Sequence, residues 1–279
     1  MHSYNELKSC IEGLIDTDMY YINLGNDIDC NDYGEDFVWH SVGVNNNTRP
    51  YTLDLCNHTI KNIIIATGES MFTFPGAGGV YIKNGKILNV FMTSSIGFNK
   101  YFGGIYSTAR VKNVSISTNI TGLNAGANAF YTGFENCAIY LEGSTSSTAG
   151  IFKVEPSTET PIKNTDIMLN DVRSGGYLFS GLRPISPITD CRVRGKFTSN
   201  ASNAAWNDGA NACIINSVFD VEVNKTHLVT NSGVNTGVIN SDKIPSGYDT
   251  RGLTAVTSEE IINGAALRAK GFSVVNVVS

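Results

Sequence analysis

One short apolar phrase carries an asparagine at six places and an aspartate at a seventh, and it constrains this chain more than any other feature. The copies read Ile60-Lys61-Asn62-Ile63-Ile64-Ile65, Ile82-Lys83-Asn84-Gly85-Lys86-Ile87, Val111-Lys112-Asn113-Val114-Ser115-Ile116, Phe134-Glu135-Asn136-Cys137-Ala138-Ile139 and Ile162-Lys163-Asn164-Thr165-Asp166-Ile167. Two looser copies follow, Ile188-Thr189-Asp190-Cys191-Arg192-Val193 and Ile214-Ile215-Asn216-Ser217-Val218-Phe219. Successive steps are 22, 29, 23, 28, 26 and 26 residues. A repeat of 20 to 50 residues marks a coil of stacked units, each unable to bury its apolar face alone.

Within each copy the apolar residues alternate, as in Val114-Ser115-Ile116-Ser117 and Ile139-Tyr140-Leu141-Glu142. A period of two specifies strands and disfavours a helical solenoid. A second strand is expected ahead of each asparagine, opened by a small residue at a tight corner, as in Gly79-Val80-Tyr81-Ile82, Gly104-Ile105-Tyr106, Ala129-Phe130-Tyr131, Gly150-Ile151-Phe152 and Gly176-Tyr177-Leu178-Phe179. Alternation places Val114, Ile116, Ile139, Leu141, Ile167, Leu169 and Val193 on one inward face.

These residues resemble the right-handed parallel β-helix proteins of the pectin-lyase-like class, over residues 20–250. The opening stretch Tyr21-Ile22-Asn23-Leu24-Gly25-Asn26-Asp27-Ile28-Asp29 and the turn Leu53-Asp54-Leu55-Cys56-Asn57-His58-Thr59-Ile60-Lys61-Asn62 are similar to the first turns of bacterial and phage β-helices, tailspikes among them. The resemblance implies an all-β chain, a single-stranded right-handed parallel β-helix solenoid of about 8 turns. Lyases, glycoside hydrolases, tailspikes, adhesins and inert shafts share this coil, so the resemblance leaves activity open.

Both ends carry helix signals, which a solenoid needs as plugs over its apolar core. Ser3-Tyr4-Asn5-Glu6 has capping-box spacing, and Leu7, Cys10, Ile11, Leu14 and Ile15 form one helical stripe. Thr257-Ser258-Glu259-Glu260 repeats that spacing before Ile261, Ile262, Ala265 and Leu267, with Gly271 placed as a stop. The expected organisation is a capping helix at 1–19, the β-helix at 20–250, and a helix with a final strand, Phe272-Ser273-Val274-Val275-Asn276-Val277-Val278, at 251–279.

The chain has 279 residues, 16% of them charged, and a formal net charge of -5, which disfavours nucleic acid as the main partner. No stretch reads as a signal peptide or membrane span, so synthesis in a host cytoplasm without membrane insertion is expected, with the virion as destination. The cysteines at 10, 30, 56, 137, 191 and 213 lack C-x-x-C spacing and read as buried, reduced thiols. His2, His40, His58 and His227 are scattered, and neither a metal nor a cofactor is expected.

In a parallel coil equivalent residues stack ~4.8 Å apart, so Asn62, Asn84, Asn113, Asn136, Asn164, Asp190 and Asn216 read as a structural ladder of side-chain hydrogen bonds. Asparagine also tolerates a left-handed corner. Asp190 is expected to meet amides on both sides. Counted from the ladder, the outward rows run Ser115, Ala138, Asp166, Arg192, Val218, then Ser117, Tyr140, Met168, Arg194, Asp220, then Asn119, Glu142, Asn170, Lys196, Glu222. None places two acids side by side, as glycoside hydrolysis would require. Asp166 and Arg192 read as a surface ion pair.

Two loops interrupt the repeat, at 31–40 and 199–211. Tyr33 and Trp39 in the first, with Trp206 and Asp208 in the second, are the candidates for contact with a partner or glycan. The reading favoured is a non-catalytic structural or binding component of a bacteriophage particle, attached to tail, baseplate or capsid. Its partners would be other virion proteins, copies of itself and host surface glycan. A β-helix carbohydrate-active enzyme, hydrolase or lyase, and a bacterial surface adhesin are the alternatives.

Overall fold

The computed structural model describes residues 1–14, 19–43, 51–66, 69–73, 80–92, 110–123, 128–130, 132–146, 148–153, 161–182, 186–201, 205–207, 213–225, 227–228 and 235–269. Every strand pairing among them is parallel, and partners lie one coil apart in sequence, which makes the chain a parallel β-solenoid. Wall one holds Tyr20–Asn23, Tyr51–Asp54, Gly133–Glu135, Ile162–Lys163, Ile188–Thr189 and Ile214–Ile215. Wall two holds Thr59–Ile65, Ala138–Thr145, Asp166–Ser174, Arg192–Ser199 and Ser217–Val223, and continues into Gly237–Asn240 and Thr254–Val256. The strands Val80–Met92 and Arg110–Asn119 run through both walls without a break.

A third wall is made by the pair Val42–Gly43 and Phe72–Thr73 and by the three-stranded sheet Gly150–Lys153, Tyr177–Leu182 and Ala205–Asn207. Strands therefore line all three walls, and wall one stacks eight of them, counting the two that run through both walls. Some of the expected preceding strands lie on this wall, at Gly150 and Gly176, whereas the Val80 segment belongs to wall one and runs straight into its asparagine. The Gly104 segment lies outside the described residues.

Alternation does place the apolar residues inside. Val114, Ile116, Ile139, Leu141, Ile167, Leu169 and Val193 are all buried, and Ile116, Ile139, Ile167 and Val193 are consecutive register partners. Against the third wall the core is aromatic: Phe130, Phe152 and Phe179 stack with centroids 4.8 and 5.3 Å apart, and Phe134 meets Phe152 edge-on at 6.0 Å. Offset and edge-to-face rings gain quadrupole attraction beyond the area they bury. Small residues appear where coils approach too closely for a side chain. A Cβ on Gly195 would lie 2.0 Å from the carbonyl oxygen of Leu169, at a φ of +109° that other residues rarely adopt.

The first coil is closed by the helix Tyr4–Glu12, whose buried Tyr4, Leu7 and Ile11 face the core. Ser3 caps it by accepting from the Glu6 N–H, but the Glu6 carboxylate accepts from the N–H of His2 rather than of Ser3. At the far end Thr257 and Glu260 form the complete reciprocal capping box. The single helix expected there is two short ones, Ser258–Ile262 and Gly264–Ala269. Asn263 separates them, its side-chain oxygen accepting from the Ala265 N–H as the second helix begins. The expected final strand at 272–278 lies outside the described residues.

Candidate functional site

Asn62, Asn84, Asn113, Asn136, Asn164, Asp190 and Asn216 all have left-handed backbones, with φ between 46° and 58°. Left-handed geometry at a non-glycine residue is tolerated best by asparagine and aspartate, and at every one of these positions except Asn62 it turns wall one into wall two. The side chains then link coil to coil. Asn84 donates to Asp54, Asn113 to Asn84, Asn136 to Asn113 and Asn164 to Asn136, over 2.6–3.2 Å.

The seven positions do not make one ladder, however, but parts of three. Asn62 donates to Asp29 and accepts from Asn89, also left-handed, so this run lies within wall two. Asn216 donates to Asp190 at 2.6 Å, and there the third run begins. Every donor points to the preceding coil, and every run starts on a carboxylate. A carboxylate only accepts, so it forces the first amide to donate, and each later amide inherits that orientation. Asp190 receives one amide rather than two, because the Asn164 NH2 group is turned away toward Asn136.

The loop at 31–40 folds inward onto the capping helix. Trp39 is fully buried, its indole N–H donating to the Met71 carbonyl at 2.9 Å, which removes it from the surface candidates. Tyr33 is half-buried, stacks on Phe37 and accepts from the Tyr4 N–H through its hydroxyl. Tyr4 itself packs against Trp39 with centroids 4.6 Å apart. The backbone of Trp206 lies in the third-wall strand Ala205–Asn207, and Asp208 lies outside the described residues.

A concave site lies elsewhere, on the outer side of wall two. Asn89, Val90, Phe91, Ser117, Thr118, Asn119, Tyr140 and Glu142 line a groove of about 280 Å³. The parallel register makes it: Tyr140 stands opposite Ser117 and Glu142 opposite Asn119, while Phe91 neighbours Asn119 from the coil before. Glu142 Oε1 accepts from Asn119 at 3.2 Å, and Oε2 accepts from the Tyr140 hydroxyl at 3.1 Å and from Asn170 at 3.4 Å. Burial raises the Tyr140 phenol above its ordinary pKa, and the hydrogen bond to Glu142 and its charge add to that, so Tyr140 remains a donor. Phe91 keeps 43% of its surface exposed at the groove.

Sequence reading had Glu142 only as one member of an outward row. The signal that could have found it was a phenol and a carboxylate two residues apart on one strand, flanked by amides at the same height in adjacent rows. Of the other carboxylates of this wall, Asp171 meets Arg173 on its own strand at 2.8 Å, and Asp166, Asp220 and Glu222 face cations on neighbouring coils. Asp166 pairs with Arg194 at 2.9 Å rather than with the expected Arg192, which turns to Asp220 at 3.7 Å. Asp220 also holds Lys243 at 2.8 Å, and Glu222 holds Lys196 at 3.1 Å.

None of the six cysteines forms a disulfide among the described residues. Cys30, Cys137, Cys191 and Cys213 are buried, but Cys10 is half-buried and Cys56 exposed, against the expectation of burial throughout. Burial pushes the Cys137 thiol to about 11 and the Cys191 thiol to about 12. Both donate to backbone carbonyls, Cys137 to Val111 and Glu135, Cys191 to Ile162 and Thr189. Among the described residues no group of three or more His, Cys, Asp and Glu side chains could hold a metal ion, and no helix is long and apolar enough to cross a membrane. Comparison with known protein families, curated proteins and solved structures finds no match.

Proposed function

We propose that this solenoid is a non-catalytic structural and binding component of a bacteriophage particle, carried on its tail or capsid. The observation that carries the reading is the cross-coil pairing of outward carboxylates, Asp166 with Arg194, Glu222 with Lys196 and Asp220 with Lys243. A carboxylate whose oxygens already meet a cation on the next coil has less accepting capacity left for a substrate or a water. Glycoside hydrolysis uses two carboxyl groups ~5 to ~9.5 Å apart, whereas Glu142 is the single acid lining the wall-two groove. The particle context is supported by the likeness of the first turns to phage β-helices and by the low charge content of 16%.

A carbohydrate-active enzyme has one observation in its favour, the hydrogen-bonded Tyr140 and Glu142 in a groove. Mass spectrometry of purified particles, with an assay for sugar release from host envelope polysaccharide, separates the readings. Stoichiometric incorporation without turnover is expected. Turnover abolished by Glu142→Gln or Asp208→Asn would establish the enzyme instead.

A further inference from the structure

Ion pairing along the coil follows a rule, with the same-strand pair of Asp171 and Arg173 as an exception. Asp29 faces Lys61 at 3.0 Å, Asp54 faces Lys83 at 3.3 Å, Glu135 faces Lys112 at 2.8 Å, and Asp166 and Glu222 face Arg194 and Lys196. Each of these carboxylates finds its cation on an adjacent coil. Glu142 breaks the rule: among the described residues it is hydrogen-bonded only to neutral groups, Asn119, Asn170 and Tyr140. Those donors orient both carboxylate oxygens without neutralising them, and three bonds leave part of the oxygens' accepting capacity open.

The space beside that carboxylate is the groove. Phe91 and Tyr140 both line it, so an occupant meets a negative charge and aromatic rings together. Aromatic faces attract cations through the ring quadrupole, and a guanidinium can stack on a ring while directing N–H groups at a carboxylate. A hard metal ion would want several oxygen ligands with charge among them, and one carboxylate among amides and a phenol does not supply that. An anion would meet Glu142 head-on.

We propose that the wall-two groove is a binding site for an organic cation, the arginine or lysine side chain of a partner protein, which supplies the ion-pair partner that Glu142 lacks among the described residues. This extends the binding role proposed above but does not depend on the particle context. The occupant enters beside Phe91, and Asn89 and Ser117 offer further polar contacts at the rim.

Nα-acetyl-arginine methylamide, titrated into the full-length chain and followed by two-dimensional NMR, tests the site. Saturable shifts at 89–91, 117–119 and 140–142 are expected, with a dissociation constant on the order of millimolar, as befits one partly exposed ion pair. The matching citrulline compound, equal in shape but uncharged, should bind about tenfold or more weakly, since hydrogen bonds to charged groups are the stronger ones. Glu142→Gln should reduce arginine binding by a similar factor, and Glu222→Gln should leave it unchanged. Equal binding of citrulline, undiminished affinity in Glu142→Gln, or shifts produced by methyl glucoside and not by the arginine compound would each overturn the proposal. Particle incorporation is read separately, so a chain absent from particles that still binds the arginine compound refutes the proposed function and leaves the site standing.

Discussion

The opening coils and the middle coils use the same left-handed asparagine but place it at different corners. In the middle coils Asn113, Asn136 and Asn164 each turn wall one into wall two, Asn113 within one continuous strand and the other two between consecutive strands. In the second coil that corner takes the four residues 55–58, with Cys56 and Asn57 left-handed, and Asn62 bends wall two further along. The coils meet at Asn84, which donates to Asp54 and so begins the run that the middle coils continue. Leu55 lies inside the longer corner and leaves no room above it: a Cβ on Gly85 would sit 2.4 Å from the Leu55 Cβ. Two phrases of one form, Ile-Lys-Asn-x-x-Ile around Asn62 and Asn84, thus hold different positions on the coil, and only hydrogen-bond partners reveal it.

The largest effect expected is in the core common to the coils. Ile139→Ala, at a residue packed between Ile116 and Ile167, should destabilise by about 2–5 kcal/mol through lost burial and a cavity, measured by denaturant unfolding. Near-neutral behaviour would break the stacked register. Next is Asn113→Ala, which loses a bond to Asn84 and one from Asn136 and strains a φ of 55°. The expected cost is about 1–3 kcal/mol, with Asn113→Gly milder because glycine removes the strain and leaves only the lost bonds. Equal costs for the two variants would show that backbone handedness contributes nothing.

A smaller effect, of opposite sign, tests the direction of the ladders. Asp190→Asn supplies an amide that can donate to Asn164 while its oxygen still accepts from Asn216, joining two runs into one. A gain of about 0.5–1.5 kcal/mol is expected, the net value of one hydrogen bond, and is readable as a higher unfolding midpoint. Destabilisation would contradict the assigned orientation of the amides.

The smallest effect is a titration that separates the opening coils. Hydrogen bonds from Asn62 and Lys61 hold the Asp29 carboxyl below its ordinary range. Burial works against the same shift at Asp54, but bonds from the Cys56 N–H, Lys83 and Asn84 prevail. At Glu69 burial is likewise outweighed, by His40 and the Ser41 N–H. A depressed folded pKa contributes stability that is complete above the unfolded value and lost as pH falls through the folded one. Amide protection of 20–29, 51–65 and 69–73 should therefore decline as pH drops below about 4, ahead of that at 138–145. Simultaneous loss would mean that these half-buried carboxylates are too well screened to matter.

Much of this molecule was legible before any coordinates. Alternation of apolar residues determined the strands and their inward faces, because a pleated chain turns every second side chain to the same side. The recurring asparagine determined that the strands stack as a coil with left-handed corners. The phase of that coil was not legible: spacing cannot distinguish a corner taken by Asn84 alone from one taken by residues 55–58, since both keep the local alternation. The groove was equally hidden. It depends on which residues of coils about 25 residues apart stand at the same height, and Phe91, Asn119 and Glu142 share no phrase in the sequence. Trp39 illustrates the same limit, because an aromatic in a polar loop reads as exposed until the helix it packs beneath is in place. Local periodicity is written in neighbouring residues and so belongs to the sequence. The pairing of Asp166 with Arg194, the three ladder heads and the neutral surroundings of Glu142 among the described residues belong to the register between coils, which tertiary packing alone decides.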